Sequence, residues 1–301
     1  MNVFSQKDSL GSKSPRTIAK YLTSIDDGAA AARFSGIGGA GQALKGHIFG
    51  NDQYAYTGIL LGYIKPRGSG SLVEIENALT LGPDNSLKGA RIKITLDKFY
   101  VQSFPGNGTH TVLCEFAGKN QIPGDAEEMR FALTTVANDE SSAGLSGAPI
   151  FLGVSVGQDG IAFEGRTINV RSETDDKLIE ALGSDTFRSG LALLTSAQPA
   201  LKPFVGLAGS VVKAVVSRNK NCQVYSFKLG LDFAGGTTSA RLREGSYVVV
   251  QADQTQWKWS DMAWNTSTQA VVQRQNDAPI PFNYMVFGVS RFTGNEAAGK
   301  N

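Results

Sequence analysis

A two-residue alternation of apolar and polar positions recurs along much of the chain. It is clearest at 91–101, where Ile92, Ile94 and Leu96 alternate with Arg91, Lys93 and Thr95, the pattern of a strand with one buried face. Other runs of the same kind cover 54–64, 72–79, 109–116, 129–136, 149–156 and 161–170. Turn-forming residues separate them: Pro66, Gly68 and Gly70 after the first run, Pro105-Gly106-Asn107-Gly108 before 109–116, and Gly157-Gln158-Asp159-Gly160 before 161–170. Strands at this spacing predict a β-sandwich. The pattern returns at 223–232, 247–251 and 284–292.

Between these β-patterned regions, 184–220 changes to a helical period. Thr174 caps a short helix that stops at Gly183, and Ser184-Asp185 cap the next, which carries Leu191, Leu193 and Leu194 until Pro199 interrupts it. A last helix starts near Pro203 and ends near Asn219. Lys202 and Lys213 bracket its uncharged run, and Phe204, Val205, Leu207, Val211, Val212, Val215 and Val216 nearly encircle it. A helix apolar all round is buried or lies in lipid. Gly206, Ser210 and Ala214 form a small-residue stripe that predicts close approach by a neighbour.

Ahead of the first strand the chain reads differently. Residues 1–13 are polar and turn-rich, Ser14-Pro15 starts a helix running through Tyr21 and Leu22, and Asp26-Asp27 starts a short one over 29–34. The expected organisation is a flexible arm and Gly-rich linker over 1–44, a β-sandwich-like region over 45–172, a helical connector over 173–220, a second β region over 221–292 packing on the first, and a tail over 293–301. The fold class is mainly β with a few helices, or α+β if the central helices form their own layer.

Composition agrees with turn-rich β structure. The 301 residues include 35 Gly but only 4 Met, 2 His and 3 Trp, with 41% hydrophobic and 19% charged residues. A net charge of +2 is too near balance for a nucleic-acid footprint, so nucleic acid is not an expected partner. Charge is uneven, however: no acid lies between Asp185 and Asp232, where Arg188, Lys202, Lys213, Arg218, Lys220 and Lys228 all fall. Two distant cysteines, Cys114 and Cys222, make neither a disulfide framework nor a zinc spacing. Residues 1–10 carry no apolar signal region, and no window reaches the roughly 20 apolar residues of a membrane span. A cytoplasmic or particle-assembled protein is the expectation.

Few residues invite chemistry. Gly36, Gly38 and Gly41 match the spacing of a dinucleotide loop, but a helix-forming run of alanines precedes them where that loop needs a strand. Gly144-Leu145-Ser146-Gly147-Ala148-Pro149 resembles the nucleophile loop of chymotrypsin-like serine proteases, which implies a trypsin-like hydrolase in which Ser146 is served by His47 or His110. Neither histidine stands in the setting that family uses. Glu74 and Glu76 share a strand face, as solvated carboxylates commonly do, and no His/Cys cluster or P-loop is present. No cofactor or metal is expected.

Surfaces give better candidates. Trp257, Trp259 and Trp264 are all the tryptophans of the chain, and Lys258 separates the first two, so on a strand both rings point one way. They form either a partner-binding patch or a cap on the second β region. Lys202, Phe204, Leu207, Val211, Lys213 and Arg218 would contact an anionic membrane or a neighbouring subunit.

A long strand at 91–101, a Gly-rich loop and a second strand at 109–116 resemble a C2-type sandwich, a family that docks to membranes or partners. Its calcium-binding members gather aspartates on loops, whereas Asp97, Asp125, Asp139 and Asp159 are isolated here and no D-x-D occurs. The resemblance therefore implies a calcium-independent module. The functional expectation is a non-enzymatic structural or scaffold protein acting by self-association or partner binding. A peripheral membrane effector using helix 203–216 and a hydrolase using Ser146 are the alternatives.

Overall fold

The computed structural model describes residues 3–37, 52–66, 68–122, 125–171, 190–193, 201–233, 239–253 and 257–293, with the side chains of 122, 125, 126 and 201–204 excepted. Two helices come first, α1 (Pro15–Ser24) and α2 (Gly28–Ser35). The strands are β1 (Ile59–Ile64), β2 (Leu72–Asn77), β3 (Arg91–Val101), β4 (His110–Ile122), β5 (Asp125–Ala137), β6 (Ser141–Ser142), β7 (Ala148–Ser155), β8 (Gly160–Val170) and β9 (Leu191–Ala192). After helix α3 (Leu201–Val216) follow β10 (Cys222–Asp232), β11 (Ala240–Arg241), β12 (Gly245–Gln251), β13 (Met262–Asn265), β14 (Ala270–Gln273) and β15 (Tyr284–Arg291).

The fold is mainly β, built from two sheets as the alternation requires. One has ten strands in the order β14, β13, β2, β1, β12, β15, β3, β7, β9, with β6 also on β3; the other runs β11, β10, β8, β4, β5. Apolar alternation on both sheets fills the space between them. Phe116, Phe163 and Phe227 of the five-stranded sheet meet Phe151 and Phe287 of the ten-stranded one, with Phe163 and Phe287 centred 5.1 Å apart. Aromatic pairs at this separation and edge-to-face angle are favourable beyond their burial.

The two β-patterned regions are not separate units. β1 pairs with β12, β2 with β13 and β3 with β15, all antiparallel, so strands from before and after α3 interleave in one sheet and share one core. Residues 3–37 also differ from the expected loose arm. Phe4, Leu10, Ile18, Leu22 and Phe34 are buried in the described structure, Ile18 and Leu22 because apolar positions at helical spacing on α1 must face a partner. Ser14 caps α1 by accepting from the Thr17 amide. Asp27 caps α2 through Oδ1 and accepts the Gly106 amide through Oδ2, tying α2 to the β3–β4 loop.

Two local expectations change. Residues 191–192, read as helix, pair in parallel with β7 at Phe151 and Leu152. The described neighbours Gly190 and Leu193 are not helical either, and the remainder of the two helices expected between Thr174 and Pro199, like His47, Gly38 and Gly41, lies outside the described residues. Gly36, the first of that glycine run, closes α2 and does not follow a strand. Finally, the segment between Trp259 and β15 contains a hairpin, β13 to β14, that the alternation did not reveal.

Candidate functional site

Of the candidate protease residues, Ser146 and His110 are described and His47 lies outside the described residues. Ser146 is exposed in the turn before β7. His110 is fully buried at the start of β4, where Arg171 Nη2 lies 3.0 Å from its Nδ1 and Asp139 Oδ1 lies 2.9 Å from its Nε2. A guanidinium only donates, so Nδ1 accepts and Nε2 carries the proton to Asp139. Both ring nitrogens are thus engaged, and none is left to take a proton from Ser146. Asp139 and Arg171 further bind the backbone at Phe104, Pro105 and Asn107, so this cluster orders a loop. Among the described residues, no group of three His, Cys, Asp or Glu side chains is placed to hold a metal ion.

The tryptophans close a second, smaller core on the far face of the ten-stranded sheet. Trp259 is buried and Trp257 and Trp264 are half-buried, together with Val248, Val250, Ile280, Phe282, Tyr284 and Val286. The Trp257 and Trp259 rings meet edge to face at 5.2 Å, and Phe282 lies 5.7 Å from Trp257. Gly62 permits this closure, since a Cβ there would stand 2.7 Å from the Trp259 ring.

Helix α3 is amphipathic, not apolar all round. Ala208, Val211, Val212 and Val215 are buried, while Gly206, Leu207, Ser210, Lys213 and Arg218 are exposed. The small-residue stripe therefore faces mainly outward. Its buried side packs on β5, where Arg130 reaches Gly209. The side chains of Lys202 and Phe204 lie outside the described ones. No described helix is long and apolar enough to cross a membrane.

Beneath α3 and residues 3–12 runs a buried ionic row. Glu115, fully buried on β4, is held by Arg166 at 2.7 Å and Arg130 at 3.4 Å. Burial raises its carboxyl above the ordinary value, and Arg166, then Arg130, oppose that. Arg166 continues to Gln223 Oε1 and lies 4.7 Å from the Phe4 ring.

At the end of that row is a cleft of about 430 Å³, lined by Phe4, Ser5, Gln6, Lys7, Thr57, Ile59, Ser226, Phe227 and Lys228. Three distant segments build it. The strap 4–7 crosses the outer face of β10, held where Gln223 Nε2 donates to the Ser5 carbonyl. Its far end ties to the opposite wall, where Gln6 Nε2 donates to the Thr57 carbonyl at 2.6 Å. Alternation on β10 turns Phe227 into the core and Ser226 and Lys228 outward. Ile59, at the start of β1, is 38% exposed on the facing wall.

Charge in the cleft is one-sided. Neither Lys7 nor Lys228 makes an ion pair with a described residue, and no carboxylate lines the cleft. Glu164 lies directly across from Lys228 on β8, yet its Oε2 accepts the Val3 and Phe4 amides at 3.0 and 3.3 Å. Asp253 likewise accepts the Thr57 and Gly58 amides. Both of these acids are occupied by backbone, and Asp8, next to Lys7 in the chain, pairs with Lys13.

Sequence reasoning missed this cleft because its walls come from residues 4–7, 57–59 and 226–228. The acid-free stretch containing Lys228 was its one visible trace. A second cleft of about 320 Å³, lined by Arg33, Phe34, Gly36, Ile37 and Asp52, abuts residues outside the described ones.

These features define a two-sheet, mainly β protein with a cationic surface cleft along one strand. No known protein family matches the chain, and neither a curated protein nor a solved structure does.

Proposed function

We propose that this chain is a non-enzymatic protein that works by association, as a scaffold or structural component holding a segment of another polypeptide in the cleft beside β10. The observation that carries the reading is the strand edge on the cleft floor. β11 pairs with β10 only at Leu231 and Asp232, so from Phe227 to Gly230 the side away from β8 is open among the described residues. An open strand edge is a template for another chain. The described histidine, His110, has both nitrogens occupied, which favours binding over hydrolysis. Lodging in lipid would require α3 to leave β5 and expose four buried side chains, so the membrane reading has less support.

Selection of random displayed peptides on the immobilised full chain tests the proposal. Binders are expected whose retention is lost with Lys228→Glu and Ile59→Asp. Selection that yields no such binder, or stoichiometric labelling of Ser146 by a fluorophosphonate probe, would overturn it.

A further inference from the structure

Resting on the association reading, we infer that the segment taken by the cleft is a short extended peptide alternating acidic and apolar residues, added to β10 as a strand. Three observations converge on that chemistry. The first is the open edge: β10 backbone groups facing away from β8 between Phe227 and Gly230 bond no described residue. A Cβ built on Gly230 would meet nothing within 4 Å, so the outer face of the sheet beside Lys228 is uncovered there. Strand addition supplies affinity through such main-chain groups, whatever the side chains of the incoming segment.

The second is charge. Lys7 and Lys228 stand at the cleft without counterions, and the acids that would neutralise them, Glu164 and Asp253, are turned onto backbone amides. Two further cations stand close by: Arg166 is held by Glu115 and Phe4, and Lys13 by Asp8 and the Lys7 carbonyl. An anionic side chain entering the cleft therefore finds two cations and no carboxylate among the lining residues.

The third is the placement of the apolar wall. Successive side chains of a strand point to opposite faces. On an added strand, those on the outer face of the five-stranded sheet would approach Lys228 and Lys7. Those on the other face would turn toward the ten-stranded sheet, where Ile59 is exposed. Alternating acidic and apolar residues satisfy both at once.

The test is fluorescence anisotropy of the full chain with a short labelled peptide alternating Glu and Val. Comparison peptides are its Lys-Val counterpart and a Glu-Val version N-methylated at alternate backbone amides. Lys7, Lys228 and Ile59 are exposed, so their variants keep the fold, checked by an unchanged urea midpoint. The Glu-Val peptide is expected to bind, and Lys7→Glu or Lys228→Glu to weaken it about tenfold or more, as like charges at an interface do. The N-methylated and Lys-Val peptides should fail. Equal binding of the Glu and Lys peptides, or full binding of the N-methylated one, overturns the inference. So do wild-type dimers that dissociate with Lys228→Glu, since they give the cleft to a second copy. Cleft-specific binders of non-acidic composition from the random selection would overturn this inference and leave the association reading intact; no cleft binder of any kind removes both.

Discussion

Phe4→Ala separates a loose arm from a structural strap. The Phe4 ring is 4% exposed and the Arg166 guanidinium carbon lies 4.7 Å from its centroid, while the Phe4 and Val3 amides donate to Glu164. The substitution removes the first two contacts and leaves the amide bonds. Burying a phenylalanine ring is worth about 1.5–3 kcal/mol, and a partly exposed cation over its face adds about 0.5–1 kcal/mol. The strap lies on an outer sheet face and can settle, so the additional cavity penalty of a central core site is small. The expected loss is about 2–4 kcal/mol by equilibrium urea unfolding, with Phe4→Leu costing about 1 kcal/mol. The loss is capped at the free energy of peeling the strap alone, which would appear as faster amide exchange over residues 4–12 before global unfolding. A Phe4→Ala protein within about 0.5 kcal/mol of wild type, the range of ordinary surface changes, with unchanged exchange, would refute the packing argument.

Gly62→Ala forces a methyl against Trp259 and Ile75 at 2.7 Å and is expected to cost about 1–3 kcal/mol by overpacking; urea unfolding followed by tryptophan fluorescence reads both the loss and the opened cap. Asp97 is half-buried beside Thr95, and burial raises its carboxyl, with Thr95, Lys93 and Ser246 opposing. The folded state then holds that proton more tightly than the unfolded chain does. Wild-type stability should therefore fall as pH rises from the ordinary aspartate value of about 3.9 through the raised one. Asp97→Asn should lack that component, and parallel urea titrations of the two proteins that keep a constant difference across this window would contradict it. Cys114 and Cys222 are both pushed up to about 12 by burial, so neither should react with a thiol reagent in the native protein at neutral pH, and both should react in urea.

What the chain revealed in advance was governed by how local the cause is. The alternation at 91–101 matches β3 because one face of that strand is buried and the other is not. The caps at Ser14 and Asp27 were legible for the same reason, since a cap needs only residues three apart. β13 and β14 escaped notice because each has four residues, too few to show a period. The role of residues 3–12 was hidden because a polar segment gives no sign that Glu164, some 160 positions later, will accept its amides. His110 had the composition of a catalytic base, and only Arg171 from the end of β8 shows otherwise.

The interleaving of strands in the large sheet has a consequence for biosynthesis. β15 lies between β12 and β3, so a nascent chain emerging from the ribosome leaves a gap in the middle of that sheet until residue 291 has been made. Until then β12 and β3 each wait with one unmated flank, and such distant pairings close slowly because loop entropy opposes them. Early termination anywhere before Tyr284 would yield a sheet split down its centre, an aggregation-prone species that a cell must chaperone or destroy.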